Sequence, residues 1–169
     1  MSAPKVFGVT GWKNSGKTTL IVALIKEFAG RGLRVSTIKH AHHAFDIDVP
    51  GKDSHRHRLA GAVEVLVASH ARWALLHEMD DDEPPPRLAA LVSRLGPCDL
   101  VLVEGFKGDK HPKIEVARGD GAGRLIADGD PSILAVVTDR PADIGRHVTL
   151  RIDDARGVAD FILKVLADG

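Results

Sequence analysis

The sequence predicts a three-layer α/β domain, a mainly parallel sheet flanked by helices with an added β-hairpin region. Three observations predict it. A short apolar run ends in a glycine-rich turn and feeds an amphipathic helix. A second run, Leu100 to Val103, is apolar throughout, as strands covered on both faces are. Strand and helix patterns then alternate along the chain without an internal repeat.

The elements follow in order. Val6-Phe7-Gly8-Val9-Thr10 reads as a buried strand stopped by Gly11. From Thr18 to Ala29, Leu20, Ile21, Leu24, Ile25 and Phe28 recur at three- and four-residue steps, and Gly30 and Gly32 end the helix. Arg34 to Lys39 is a second strand. The polar stretch from His40 to Arg58 offers few core residues and reads as a loop leading into a short helix capped by Asp53. Val63 to Ala68 and Trp73 to His77 are strand-like. Asp80 to Pro86 reads as an exposed turn, with Pro86 near the start of a helix running to about Leu95. After the strand Leu100 to Val103, the residues Ile114, Val116, Leu125 and Ile126 sit among glycines and suit a hairpin. Ile133 to Val137 is another buried strand, and a helix from about Asp153 to Leu166 closes the chain.

Length and composition narrow the function. With 169 residues, 44% of them hydrophobic, the chain suits a single domain over 1–169. Twenty-three basic residues balance 23 acidic ones, so no overall field favours nucleic acid or an anionic membrane. Cys98 has no cysteine to pair with in the chain, the N-terminus lacks a signal-like apolar stretch, and no apolar run reaches the roughly 18 residues of a membrane span. The expectation is a cytoplasmic, soluble protein.

The chemistry concentrates at the first turn. Gly11, Gly16, Lys17 and Thr18 complete the pattern G-x-x-x-x-G-K-[ST] between a strand and a helix, the context of a phosphate-binding P-loop. Backbone N–H groups from Lys13, Asn14, Ser15, Gly16, Lys17 and Thr18 are expected around a β-phosphate at the positive end of the helix. Lys17 is expected to reach the β- and γ-oxygens, Thr18 to offer its hydroxyl to Mg²⁺ and Thr19 to add a phosphate contact. Glu104 ends the apolar strand before Gly105 and so suits the metal-side carboxylate at the carboxyl edge of the sheet. Asp99, at the other end of that strand, reads as a solvated turn residue. Lys107 and Lys110 read equally well as anion contacts and as a solvated basic turn.

The loop after Lys39 is the second concentration. Asp46 and Asp48 are candidates for Mg²⁺ or its waters, while Lys39, His40, Arg56 and Arg58 are candidates for a second substrate's phosphate. His40, His42, His43, His55 and His57 leave a transition-metal cluster open as an alternative. Asp53 is either a helix cap or a further carboxylate near the metal.

Taken together, Gly11 to Thr19, the segment Lys39 to His57, Ala60-Gly61-Ala62 and Val103-Glu104-Gly105-Phe106-Lys107 resemble the MobB family, molybdopterin-guanine dinucleotide biosynthesis protein B. The likeness extends over nearly the whole chain. It implies a P-loop NTPase fold, GTP and Mg²⁺ as ligands, slow GTP hydrolysis, a homodimer and an auxiliary role beside a MobA-like guanylyltransferase, with molybdopterin as a candidate ligand. By position it gives Lys17 and Thr18 the phosphate and metal, Glu104 the acidic place, and Asp46 and Asp48 a mobile loop. Guanine selection is less defined, because Val137-Thr138-Asp139-Arg140-Pro141 stands where many GTPases carry Asn-Lys-x-Asp. Asp139 is the candidate base contact, with a plain polar turn as the alternative. A small-molecule kinase and a metallochaperone GTPase are the competing uses of the same loop.

Overall fold

In a computed structural model, which describes residues 3–41, 45–80, 82–119, 125–140 and 147–168, the first strand β1 (Lys5–Thr10) lies inside the main sheet. Around it stand β2 (Val35–Lys39), β5 (Leu100–Glu104), β6 (Lys113–Ala117), β7 (Ile133–Thr138) and β8 (Thr149–Arg151), in the order β2-β5-β1-β6-β7-β8. All these pairings are parallel. The chain lays strands first to one side of β1 and then to the other, which opens a crevice at the carboxyl ends where β1 runs out.

Apolar alternation decides which face each helix covers. Phe7, Val9, Ile114, Val116, Ala135 and Val137 point to one face, and α1 (Lys17–Gly30) and α4 (Ala155–Asp168) bury Leu20, Leu24, Phe28, Val158 and Ile162 against them. Phe7 and Phe28 are fully buried, each a contribution of roughly 1.5–3 kcal/mol. Asp154 starts α4 by accepting the Gly157 N–H at 2.9 Å. On the opposite face the short helix α3 (Leu88–Ser93) packs Leu88 over Ile38, Val101 and Val103. Farther along that face, Leu125 and Ala127 cover Ala117 and Val136.

Two sequence expectations are corrected here. The region of Ile114 and Ile126 is no hairpin: Lys113–Ala117 is a parallel strand beside β1, and Ile126–Asp128 is a 3-10 turn. β8 is an additional strand. The helix over residues 86–95 is present in shortened form: Arg87 is extended (ψ 147°) and takes the cap position, so the helix starts at Leu88 and ends at Ser93.

The chain divides into two compact units, residues 1–40 with 87–169, and residues 41–86. The second unit holds α2 (Asp53–Leu59) and the antiparallel hairpin β3 (Glu64–Ala68) and β4 (Trp73–His77). Lys52, rather than Asp53, occupies the cap position of α2, and Asp53 falls in its first turn without a side-chain cap bond. Val65 is buried, whereas Leu66, Trp73 and Leu75 lie exposed on the other face of the hairpin.

Candidate functional site

The turn from β1 into α1 is shaped by positive φ angles at Gly11 (144°), Asn14 (63°) and Gly16 (95°). Such alternation turns successive N–H groups toward one concave side, which is what an anion requires. Gly11 has a second reason to be glycine: a Cβ there would lie 2.4 Å from the Val116 carbonyl oxygen. The Ser15 hydroxyl is buried inside the turn with no hydrogen-bond partner, and so is that of Thr10 just before it. Orphaned hydroxyls are costly unless a ligand or water meets them. This cradle, its two unpartnered hydroxyls and its place at a helix start fit a phosphate chain.

Lys17 follows. Its ammonium donates to the Trp12 carbonyl at 2.6 Å, folded back across the turn. Its pKa lies below the ordinary lysine value, first through burial, with Glu104 opposing and Lys107 and Lys39 adding to the depression. The ammonium thus stands in a field that an added anion would relieve.

Thr18, in the first turn of α1, and Glu104, at the end of β5, come together from positions 86 residues apart, with the Thr18 hydroxyl donating to Glu104 Oε1 at 3.3 Å. Lys39, at the end of β2, reaches the same oxygen at 3.4 Å. The chain then turns sharply through Gly105 (φ 94°) and Phe106 (φ 47°), and a Cβ on Gly105 would come within 2.9 Å of His40 Cβ. A hydroxyl and a carboxylate beside a phosphate cradle suit a hydrated divalent cation. Lys13 and Asn14 are exposed on the loop, and Thr19 is exposed as the third residue of α1.

Farther along the same edge, the Gly119 N–H donates to Asp139 Oδ1 at 3.2 Å and Arg118 Nε lies 3.7 Å from Asp139 Oδ2. The Arg118 guanidinium also approaches Gly16. Sequence reasoning missed Arg118, since it ends a strand read as part of a hairpin. A hollow of about 570 Å³ lies at the opposite, amino edge of the sheet among Lys5, Arg34, Asp99 and Leu100. Ligands of open α/β sheets bind at the carboxyl edge, the edge opposite to this hollow. Asp99 there is an ion-pair partner more than a solvated turn residue, accepting the Arg34 backbone and guanidinium N–H groups.

Within residues 41–86, Arg58 gathers the acidic residues. It meets Asp46 at 2.9 Å, Asp48 at 3.1 Å and Glu78 at 2.6 Å. Asp48 also accepts from Ser54, and Asp46 from the Asp48 N–H. Both aspartates are held below the ordinary carboxylate value, Asp46 first by that backbone bond and Asp48 first by Ser54. His42 and His43 lie outside the described residues. Among the described residues no group of three or more His, Cys, Asp or Glu side chains is placed to hold a metal.

The model of the family described as molybdopterin guanine dinucleotide synthesis protein B matches residues 6–139. The chain belongs to the MobB family. It is 43% identical to the molybdopterin-guanine dinucleotide biosynthesis adapter protein of Escherichia coli strain K12, over 90% of this chain and 88% of that protein. The adapter protein of the same name from Haemophilus influenzae is 41% identical, over 93% and 86%. A crystal structure of molybdopterin-guanine biosynthesis protein B superposes with a TM-score of 0.74 at 30% identity, covering 96% of this chain and 99% of that one. A MobB homologue from Bacillus stearothermophilus gives 0.67 at 25% identity, covering 97% and 99%. The fold is therefore the P-loop NTPase fold of MobB, and nothing in it favours the kinase or metal-carrier alternatives.

Proposed function

We propose that this MobB-family chain is an adapter in molybdopterin guanine dinucleotide biosynthesis that holds GTP with Mg²⁺ for a MobA-like guanylyltransferase. The observation that carries the nucleotide site is the Thr18–Glu104 contact, which sets the metal-side pair beside the cradle. In this reading Lys17 leaves the Trp12 carbonyl for the β- and γ-phosphates, while Gly11, Lys13, Asn14, Ser15, Gly16 and Thr19 line the phosphate chain. Mg²⁺ supplies charge neutralisation between the phosphates. Asp139 exchanges Arg118 for the guanine N1 and N2 donors. Asp46 and Asp48 reach a metal only on releasing Arg58. In this reading GTP hydrolysis is slow and secondary to holding the nucleotide. The whole chain acts as one nucleotide-binding domain, with residues 41–86 inserted between β2 and α3. It works in the cytoplasm, and no helix among the described residues is long and apolar enough to cross a membrane.

The direct test adds the protein to a MobA-like guanylyltransferase with molybdopterin and GTP, and follows dinucleotide formation. Stimulation with GTP and not with ATP is expected. Equal affinity for the two nucleotides, or no stimulation, would remove the reading.

Glu104→Gln separates the metal role from general packing. With Mg²⁺, its GTP affinity should fall about tenfold, near the value of one lost charge-assisted bond. Without Mg²⁺ it should bind GTP at least as tightly as the wild type, because a carboxylate facing the triphosphate has gone. Equal losses in both titrations would count against a metal-side Glu104.

The homodimer has its own support. A two-stranded hairpin alone is marginal in water, yet Leu66 is 61% and Trp73 65% exposed on one of its faces. A second copy covering that face resolves the exposure. Trp73→Glu is expected to halve the mass seen by light scattering while GTP affinity persists, and an unchanged mass would refute this face as the interface.

A further inference from the structure

Among the described residues, the two crossovers that lead into β6 and β7 carry no α-helix, and a cleft of about 500 Å³ opens between them. That volume is within the range of small-molecule sites. Its lining includes Trp12, Lys107, Lys110, Leu125, Ile126 and Asp130. Trp12 belongs to the phosphate turn itself, and its indole is 54% exposed. The Lys107 ammonium lies 4.5 Å from the centre of that ring. Leu125 and Ile126 add an apolar wall. An exposed indole with aliphatic groups nearby suits a flat ring system.

The charge of the cleft is one-sided. Asp130, its acidic lining residue, is already spoken for: Oδ2 takes Lys113 at 3.2 Å, and Oδ1 takes the Ser132 N–H at 3.0 Å and its hydroxyl at 2.6 Å. Lys107 and Lys110 are left as an excess of positive charge. The walls are also fixed in place. Lys113, fully buried, donates to the Lys107 and Asp109 carbonyls, and Glu115, equally buried, accepts the Ile126 and Ala127 N–H groups at 3.1 and 2.9 Å. A preformed cleft loses less entropy on binding than one that must assemble.

The nucleotide's own base is assigned to another place, the Arg118–Asp139 end beside Gly16. The cleft instead shares Trp12 with the phosphate turn, and the field of Lys107 reaches Lys17. We infer that the cleft between Trp12 and the two crossovers binds a phosphorylated flat heterocycle of the pterin class, ring against Trp12 and phosphate on Lys107 and Lys110, as a second ligand beside the nucleotide. This rests on the adapter reading above, which requires a pterin partner for GTP, and it gives that partner a seat on this chain.

Calorimetric titration tests it, with 6-hydroxymethylpterin phosphate as the probe and full-length protein both free and saturated with GTP. One probe per chain is expected in both states. Unphosphorylated 6-hydroxymethylpterin and inorganic phosphate should each bind at least about tenfold more weakly, and so should the probe to Trp12→Ala and to Lys107→Ala/Lys110→Ala. Urea melts that match the wild type's show that these variants fold. No probe binding, or probe binding unmoved by the substitutions, overturns the inference. So does GMP displacing the probe from the same residues, since the cleft would then be a nucleotide site. GTP binding without probe binding leaves the adapter reading standing and removes only the second seat, whereas probe binding in a protein that binds no GTP does the reverse.

Discussion

Lys17→Ala is expected to weaken GTP binding by about 100- to 1,000-fold. A charge-assisted hydrogen bond contributes roughly 1.5–3 kcal/mol, and the ammonium is placed to make two of them to phosphate oxygens. From that sum comes the bond it gives up, since in the free site Lys17 donates to the Trp12 carbonyl. A net of about 3–4 kcal/mol remains, which is two to three decades of affinity. The free site also holds this ammonium under unfavourable conditions, burial first and then Lys107 and Lys39, only partly offset by Glu104. A triphosphate reverses that balance, so the alanine variant forfeits a relief as well as two bonds. Folding should hardly change, because the side chain sits at the surface of the turn and Leu20, Leu24 and Phe28 still anchor α1. Equilibrium titration with a fluorescent GTP analogue, beside a urea melt, checks both halves. An affinity within about tenfold of the wild type would show that the turn binds phosphate without its lysine.

The turn could be read from sequence because its determinants are local: glycines where φ is positive, then a lysine and a hydroxyl in the first helical turn. β1, α1 and β5 were equally readable, since each carries its own apolar period. The misreading at β6 has the opposite cause. Lys113-Ile114-Glu115-Val116-Ala117 alternates charged and apolar residues like a half-exposed strand, yet Lys113 and Glu115 are both fully buried. Their partners come from Asp130, Ser132 and the backbone at 107, 109, 126 and 127, and nothing in the local pattern announces them. β8 escaped notice because three residues are too short to show a period. The same division holds within the site. The need for a carboxylate opposite Thr18 was readable from the apolar strand that Glu104 ends, but the arrangement of Arg118 against Asp139 depended on knowing that β6 and β7 are neighbours. Asp46 and Asp48 could be picked out as acidic, but not their capture by Arg58, which needs the geometry of α2.

Lys113 is where that hidden burial should have its largest effect on stability. Lys113→Ala is expected to cost about 3–5 kcal/mol, the usual penalty for removing one partner of a buried ion pair. Its ammonium meets Asp130 at 3.2 Å and Ser132 Oγ at 2.8 Å, besides two carbonyls, so the truncation strands a carboxylate and leaves a cavity. For a chain of this size that corresponds to a fall in melting temperature of roughly 10 °C. The pH dependence gives a signature that a simple cavity would lack. Burial pushes Asp130 up, but Ser132 and Lys113 outweigh it and hold the carboxyl below its ordinary value of 3.8. A depressed carboxyl contributes stability that is fully present above that ordinary value and is lost as pH falls through the folded one. The gap between wild type and Lys113→Ala should therefore be widest near neutrality and narrow below about pH 4, because the stranded carboxyl of the variant takes up its proton at a higher pH than the paired one. Lys113→Ala/Asp130→Asn should recover part of the loss, since no buried charge is then left alone. Urea melts of the three proteins at pH 7 and in the acid range decide it: a loss under about 1 kcal/mol, or a gap that does not change with pH, would show that Asp130 draws its stabilisation from Ser132 and solvent rather than from Lys113.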